Sequence, residues 1–319
     1  MKLKHHYRTM AFFGAVLMTI SSLLVTAQKK KQPDFHHVEP PNWWVGMKDI
    51  SVQVLFHNKD MDISGYQPEV TYDGVKITNV SKVENPHFLF VTLEISPGAR
   101  AGVVPIVFRQ AKKSIVYQYE LKNKSDARDR IMGFNSSDVL YLIMPDRFAN
   151  GDPTNDSIPG MYEGTHRDKD GGRHGGDLSG ITNHLDYIRD LGVTAIWLNP
   201  VLENNQRRSS YHGYAITDLY QVDRRFGGNQ AYLSFIESSH KAGIKVIQDM
   251  VANHIGNEHW LFLDPPERTH PWIHRFPEFT RSNYRGTVVS DPYRSSYDER
   301  RMSDGWFDTT MPDVDQTNP

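Results

Sequence analysis

The sequence predicts two domains in tandem, a β-sandwich followed by a parallel α/β domain, and two patterns carry that prediction. Apolar residues alternate with period two as far as Leu121, and beyond Asp138 short apolar runs alternate with segments of helical period. At 319 residues, 38% hydrophobic and 11% aromatic, the chain has enough length and apolar content for two domains of ordinary size.

The first residues precede both domains. Met1, Lys2, Lys4 and Arg8 lead into an apolar run from Ala11 to Val25, and Val25-Thr26-Ala27 stands before Gln28. A basic start, a short apolar stretch and small residues at its end form a secretory signal peptide over 1–27. The run falls short of the roughly 20 residues that a spanning helix needs, so no membrane span is expected after cleavage. Export to the periplasm or the medium follows as an expectation. Cysteine is absent, so the fold must rest on its core, with or without a metal, rather than on disulfides. Lys plus Arg number 36 against 38 for Asp plus Glu, a net charge of -2. That balance gives no global field to attract nucleic acid or an anionic membrane, and it points to a ligand that is uncharged or met locally.

The first domain is expected over 28–125. Leu89, Val91, Leu93 and Ile95 mark one half-buried strand, and Ile115, Tyr117, Tyr119 and Leu121 another. Asp73-Gly74 and Ala111-Lys112-Lys113 stand where hairpin turns belong, and short strands at this spacing build a sandwich of roughly 90 to 100 residues. Trp43-Trp44 reads as a pair of core aromatics. A polar stretch from Lys122 to Ser137 is the linker, and the second domain is set at 126–319. There, a buried strand from Val139 to Met144 precedes a helix with Ile181, Leu185, Ile188 and Leu191 on one face, closed by Gly192. A second strand runs from Val193 to Val201. The next helix carries Tyr232, Phe235, Ile236 and Ala242 and ends at Gly243, and a third strand runs from Ile244 to about Val251. From 255 to 319 no helical or strand period stands out, and so long an irregular segment suggests a functional insertion.

In a parallel α/β domain the ligand lies at the carboxyl ends of the strands. The first strand ends in a stretch containing Asn150, Asp152, Asn155 and Asp156, four oxygen-bearing side chains that suit a hard cation such as Ca²⁺. The same pattern suits an Asx-rich loop whose side chains cap their own backbone. The third strand ends in Asp249, Asn253 and His254, a carboxylate, an amide and an imidazole able to hydrogen-bond sugar hydroxyls; equally, Asp249 caps the next turn and His254 is a satisfied loop histidine. Tyr211-His212-Gly213-Tyr214 offers aromatics beside a glycine, either a stacking platform for a sugar ring or ordinary packing.

His212-Gly213-Tyr214 with Asp218, Tyr220 and Phe226-Gly227, then Asp249-Met250-Val251-Ala252-Asn253-His254, then Met311-Pro312-Asp313, resemble successive motifs of glycoside hydrolase family 13, the α-amylase superfamily. Pro40 to Met47 resembles the start of the sandwich domain that precedes the barrel in its cyclomaltodextrinase and neopullulanase group. The resemblance implies an immunoglobulin-like β-sandwich, then the first part of a (β/α)₈ TIM barrel with an inserted loop domain after the third strand, from about 255. It implies that Tyr214 stacks on the sugar before the cleaved bond, that His212 and His254 hydrogen-bond its hydroxyls, and that Asp249 and Asn253 hold the floor of that site. It also implies one Ca²⁺ shared by Asn150, Asp152, Asn155, Asp156, the Gly175 carbonyl and Asp177. Val314-Asp315 departs from the Leu-Asn usual in the group, which bears on fine specificity.

The implied activity is retaining cleavage of α-1,4 glucans such as starch, pullulan, cyclodextrins or maltooligosaccharides, with a homodimer possible in the full-length protein. Retaining hydrolysis needs a nucleophile and an acid/base. By resemblance these belong to the fourth and fifth strands, and a full barrel takes roughly 250 residues. Three strands are legible here, so no catalytic residue is assigned and the chain reads as an N-terminal fragment, inactive alone. The rival reading is a non-catalytic α-glucan-binding protein.

Overall fold

The computed structural model describes residues 35–124, 133–269, 272–274, 280–282, 291–303 and 305–316, which belong to one compact unit, Asp34–Pro319. The expected signal peptide and the middle of the expected linker lie outside the described residues. No helix among the described residues is long and apolar enough to cross a membrane.

Among the described residues eight strands form the first domain: β1 (His37–Glu39), β2 (Asn42–Val45), β3 (Ser51–His57), β4 (Gln67–Val70), β5 (Val75–Ser81), β6 (Phe88–Ile95), β7 (Gly102–Gln110) and β8 (Lys113–Asn123). They divide into two four-stranded sheets, β1-β3-β6-β5 and β2-β8-β7-β4. The alternating residues decide the core between them. Val52, Val54 and Phe56 of β3, and Leu89, Val91, Leu93 and Ile95 of β6, share one buried cluster with Val104, Ile106 and Phe108 of β7 and Ile115, Tyr119 and Leu121 of β8. The turn at Ala111 joins β7 to β8, with that residue in the left-handed region at φ 52°. Trp43 packs on the core, while Trp44 is exposed.

The second domain supplies three parallel strands, β9 (Leu140–Ile143), β10 (Ala195–Leu198) and β13 (Lys245–Gln248), with β10 in the middle. A hairpin of β11 (Leu202–Glu203) and β12 (Asp218–Val222) lies between β10 and β13 in sequence. Helix α1 (Pro145–Phe148) follows β9, and α4 (Gly228–Lys241) precedes β13. Ile143, Ile181, Ile188, Ile196, Leu198 and Phe235 meet in the core between sheet and helices. Leu140, Leu142 and Trp197 face the other side and are exposed.

Besides Trp44, expected in the core and found exposed, two expectations need correction. The single helix expected from Ile181 to Leu191 is two, α2 (Leu178–Thr182) and α3 (Leu185–Asp190), and Leu191 is 55% exposed. The break falls where Thr182 Oγ1 donates to Leu178 O at 2.7 Å and His184 Nδ1 lies 2.7 Å from Gly180 O, side chains taking carbonyls that would continue the helix. The stretch after 255, expected to be irregular, contains α5 (Trp260–Leu263) and α6 (Ser296–Ser303). Its other described pairings are isolated bridges such as His254 to Asp313 and Ile273 to Val314. Its apolar residues do not pack among themselves alone: Trp260, Leu261 and Trp272 cover Leu55, Phe88 and Phe90 on the outer face of the β6 sheet.

Candidate carbohydrate and metal sites

The loop after β10 and the first residues after β13 meet at the carboxyl ends of the parallel strands. Asn199, one residue past β10, donates from Nδ2 to His212 O at 3.2 Å and fixes that loop. Gly213 has φ +86°, and a Cβ there would collide with the carbonyl oxygen of Pro200, so glycine allows the close approach. Tyr214 is thereby directed toward Asp249: its Oη donates to Asp249 Oδ2 at 3.2 Å, and Trp197 Nε1 donates to the same oxygen at 3.2 Å. Burial and the neighbouring carboxylate push the Tyr214 phenol above its ordinary pKa, so it stays a donor at neutral pH.

The histidines follow from the same hydrogen bonds. Tyr214 N–H donates to His212 Nδ1 at 2.9 Å, which puts the His212 proton on Nε2. His254 Nε2 lies 3.1 Å from Tyr214 O, so that nitrogen is the donor, and Nδ1 accepts from Asn253 Nδ2 at 3.3 Å. Burial holds both imidazoles below the ordinary histidine value and keeps them neutral. All five expected residues, His212, Tyr214, Asp249, Asn253 and His254, therefore form one connected group. Within it His254, stacked on Phe307 at 5.6 Å, uses both ring nitrogens to hold its neighbours, while Tyr214 and His212 form a tilted aromatic pair at 5.9 Å.

Sequence reasoning missed Trp197, which stands on β10 beside Ile247 of β13 and so reaches Asp249 two residues further on. It also missed a buried charge network beside the loop. Arg225 donates to both oxygens of Asp223, at 2.9 and 2.7 Å, and to the carbonyls of Glu163 at 2.9 Å and Asn204 at 2.8 Å. Arg225 holds the Asp223 carboxyl below the ordinary range against full burial. A cavity of about 420 Å³ lined by Tyr162, Glu163, His166, Lys169 and Arg207 includes none of the five sugar-site candidates in its walls.

The expected cation ligands gather around Asp177, the N-cap of α2. Its carboxylate accepts from Gly151 N at 3.0 Å, Asp152 N at 2.9 Å, Asn155 Nδ2 at 2.9 Å and Gly180 N at 2.7 Å. Asp152 turns back on its own loop and accepts from Thr154 N and Oγ1. Asp156 accepts from Asn150 Nδ2 at 2.7 Å and pairs with Arg167 at 3.2 Å. Gly175, at φ +85°, packs so close that a Cβ would strike Asp156 Oδ1. The amide oxygens Oδ1 of Asn150 and Asn155 are buried without a hydrogen-bond partner. Two orphaned acceptors beside carboxylates are what a hard, oxygen-seeking cation would satisfy, so the residues fit Ca²⁺.

A family model described as the α-amylase catalytic domain matches residues 142–300, and one described as the N-terminal domain of cyclomaltodextrinase matches residues 37–125. The chain belongs to the α-amylase family of glycoside hydrolases. It is 32% identical over 194 residues to neopullulanase 2 of Thermoactinomyces vulgaris, covering 57% of this chain and 32% of that protein. To a cyclomaltodextrinase of Geobacillus thermopakistaniensis it is 37% identical over 155 residues, covering 46% of this chain and 26% of the relative. A periplasmic α-amylase of Escherichia coli is 36% identical over 132 residues, covering 37% of this chain and 19% of its own length. The chain thus spans about a third or less of these relatives.

Proposed function

We propose that the protein acts on α-glucans, as a retaining hydrolase of α-1,4 bonds in cyclodextrins, pullulan, starch or maltooligosaccharides, and that this chain supplies the sugar-holding part of the site. The observation that carries the reading is the connected group at the strand ends, Tyr214 on Asp249 with His212 beside it. A half-buried ring with a neighbouring neutral imidazole donor is suited to a neutral sugar, which offers an apolar face and a rim of hydroxyls. Asp249 accepts from two side chains, which suits a holding role rather than attack at an anomeric carbon. The nucleophile and acid/base are assigned to none of these residues, and the chain alone is expected to bind the sugar without cleaving it. Bound Ca²⁺ would hold the loop 150–156 against α2 through the amide oxygens of Asn150 and Asn155 and the carboxylates of Asp156 and Asp152. Residues 1–27 direct export, in keeping with a relative named as periplasmic. The segment from 255 acts as an inserted loop domain.

Calorimetric titration with β-cyclodextrin and maltoheptaose, beside an assay of reducing-sugar release, tests the reading. The protein is expected to bind and not to hydrolyse, and Tyr214→Ala is expected to weaken binding about tenfold, the scale of one lost sugar-aromatic contact of about 1.4 kcal/mol. Binding unchanged in Tyr214→Ala would refute the placement of the sugar. Sustained hydrolysis would show a working carboxylate pair in this chain.

A further inference from the structure

Away from the strand ends, three side chains from separate parts of the chain converge where the segment after α5 meets the sandwich. His57 Nε2, at the end of β3, lies 2.9 Å from Asp264 Oδ2, and His87 Nδ1, just before β6, lies 2.8 Å from the same oxygen. The three atoms all stand within 4.8 Å of one another. We propose that His57, His87 and Asp264 form a transition-metal site of the zinc class, which clamps the segment after α5 to the β-sandwich.

The donor set is the first argument. Two imidazoles and one carboxylate suit Zn²⁺ and its neighbours in the first transition row, not the oxygen-seeking cation fitted to the loop at Asn150. Metal bonds of about 2.0–2.1 Å in tetrahedral geometry separate ligand atoms by about 3.3 Å, so the two histidine–carboxylate separations of 2.9 and 2.8 Å must open by a few tenths of an ångström while the two imidazole nitrogens, within 4.8 Å of each other, turn toward a common ion. Preorganisation is the second. The His57 ring, 2% exposed, is stacked against Trp260 at 4.7 Å and lies against Phe88 at 4.6 Å, which fixes its direction. Asn85 Nδ2 donates to Asp264 Oδ1 at 2.5 Å, holding the other carboxylate oxygen as an outer partner of a metal ligand would. Access is the third: the side chains of His87 and Asp264 are 32% and 28% exposed, which leaves an entry path and a position for water as fourth ligand. A clamp of this kind also suits a chain without cysteine, because it ties residues far apart in sequence as a disulfide would.

The test uses the tag-free full chain, stripped with a chelator and titrated with Zn²⁺ and separately with Ca²⁺. One Zn²⁺ per chain is expected, with a Tm that rises with Zn²⁺ concentration, and Co²⁺ in its place should give the visible absorption of a tetrahedral site. His87→Gln and Asp264→Asn should lose the Co²⁺ spectrum, and Asn85→Ala should weaken Zn²⁺ binding about tenfold. Failure to bind Zn²⁺ overturns the proposal. So does Zn²⁺ binding that His87→Gln leaves unchanged, which would place the ion on other histidines. A lower Tm in His87→Gln by the same amount with and without Zn²⁺ would reduce the cluster to a hydrogen-bonded contact and overturn it as well.

Discussion

Acidification from pH 7.5 to 5 should remove about 2 kcal/mol of stability through one residue, His259. Its ring is fully buried, and Nδ1 accepts the backbone N–H of Leu261 at 3.1 Å as the N-cap of α5. The proton therefore sits on Nε2, and a second proton would have to enter Nδ1 against the N–H already aimed at it. Burial, with a smaller contribution from His37, lowers the pKa from 6.5 to about 3. The folded pKa is depressed, so as pH falls through 6.5 the unfolded chain takes up a proton that the folded chain refuses. The stability is complete above 6.5 and drains away down to about 3. At pH 5 the two states differ by 1.5 units, about 2 kcal/mol at 1.36 kcal/mol per unit. Urea denaturation at both pH values, in chelator to exclude metal linkage, should be run on the wild type and on His259→Asn, which keeps an acceptor at the cap. The variant starts from a different absolute stability because it leaves space in the core, but its loss on acidification should be smaller by about 2 kcal/mol. Equal losses in the two proteins would refute the reasoning.

At the oxygen-rich loop, excess chelator selective for Ca²⁺ should lower Tm, and Asn150→Ala should abolish that sensitivity by removing one of the orphaned oxygens; a melting curve indifferent to chelator would count against the cation. Arg225→Met should cost about 3–5 kcal/mol in urea denaturation, because it strands the fully buried Asp223 carboxylate, and a cost under about 1 kcal/mol would show that Asp223 finds another partner or takes a proton. Gly213→Ala should weaken cyclodextrin binding as well as stability, since relieving the clash with Pro200 must shift Tyr214; unchanged affinity would separate that turn from the sugar site.

What was legible in the sequence is what local pattern decides. Period two located β6 and β8 because the inner face of each strand is buried in a core formed by both sheets; in β6 the alternation is clean only from Val91 on, since Phe88 and Phe90 are covered on the outer face as well. The three parallel strands were legible as short apolar runs, although each is shorter than its run: Val139 and Val193 lie just outside the strands that follow them. Apolar spacing predicts one helix from Ile181 to Leu191 because it says nothing of Thr182 and His184 taking backbone carbonyls. The five sugar-site candidates were named through motif resemblance, and no spacing argument would have joined Tyr214 to Asp249, since 35 residues separate them. Trp197 was lost for a related reason: in a strand of the sequence Ala-Ile-Trp-Leu it reads as core, and only the pairing of β10 with β13 turns it toward Asp249.

The stretch after 255 was the least legible, and its contacts explain both why and what it does. Its apolar side chains have no period because they serve surfaces made elsewhere: Trp260 and Trp272 cover Phe88 and Phe90 of the sandwich. Further along, Ile255 N–H donates to Pro312 O at 3.2 Å and Val314 N–H to Asn253 O at 3.0 Å, so Met311-Pro312-Asp313 lies against the residues that follow β13. Between those two hydrogen bonds stands His254, which holds the carbonyl of Tyr214. One segment therefore grips the sandwich at one end and braces the sugar-site candidates at the other. Packing is close in both places, so a shift of the segment on the sandwich cannot be absorbed by empty space and must be passed along or resisted. The described contacts therefore run from Phe90 of the sandwich to Trp272, from the Trp272 carbonyl to Asp315 N–H, from Val314 N–H to Asn253 O, and from His254 to the carbonyl of Tyr214.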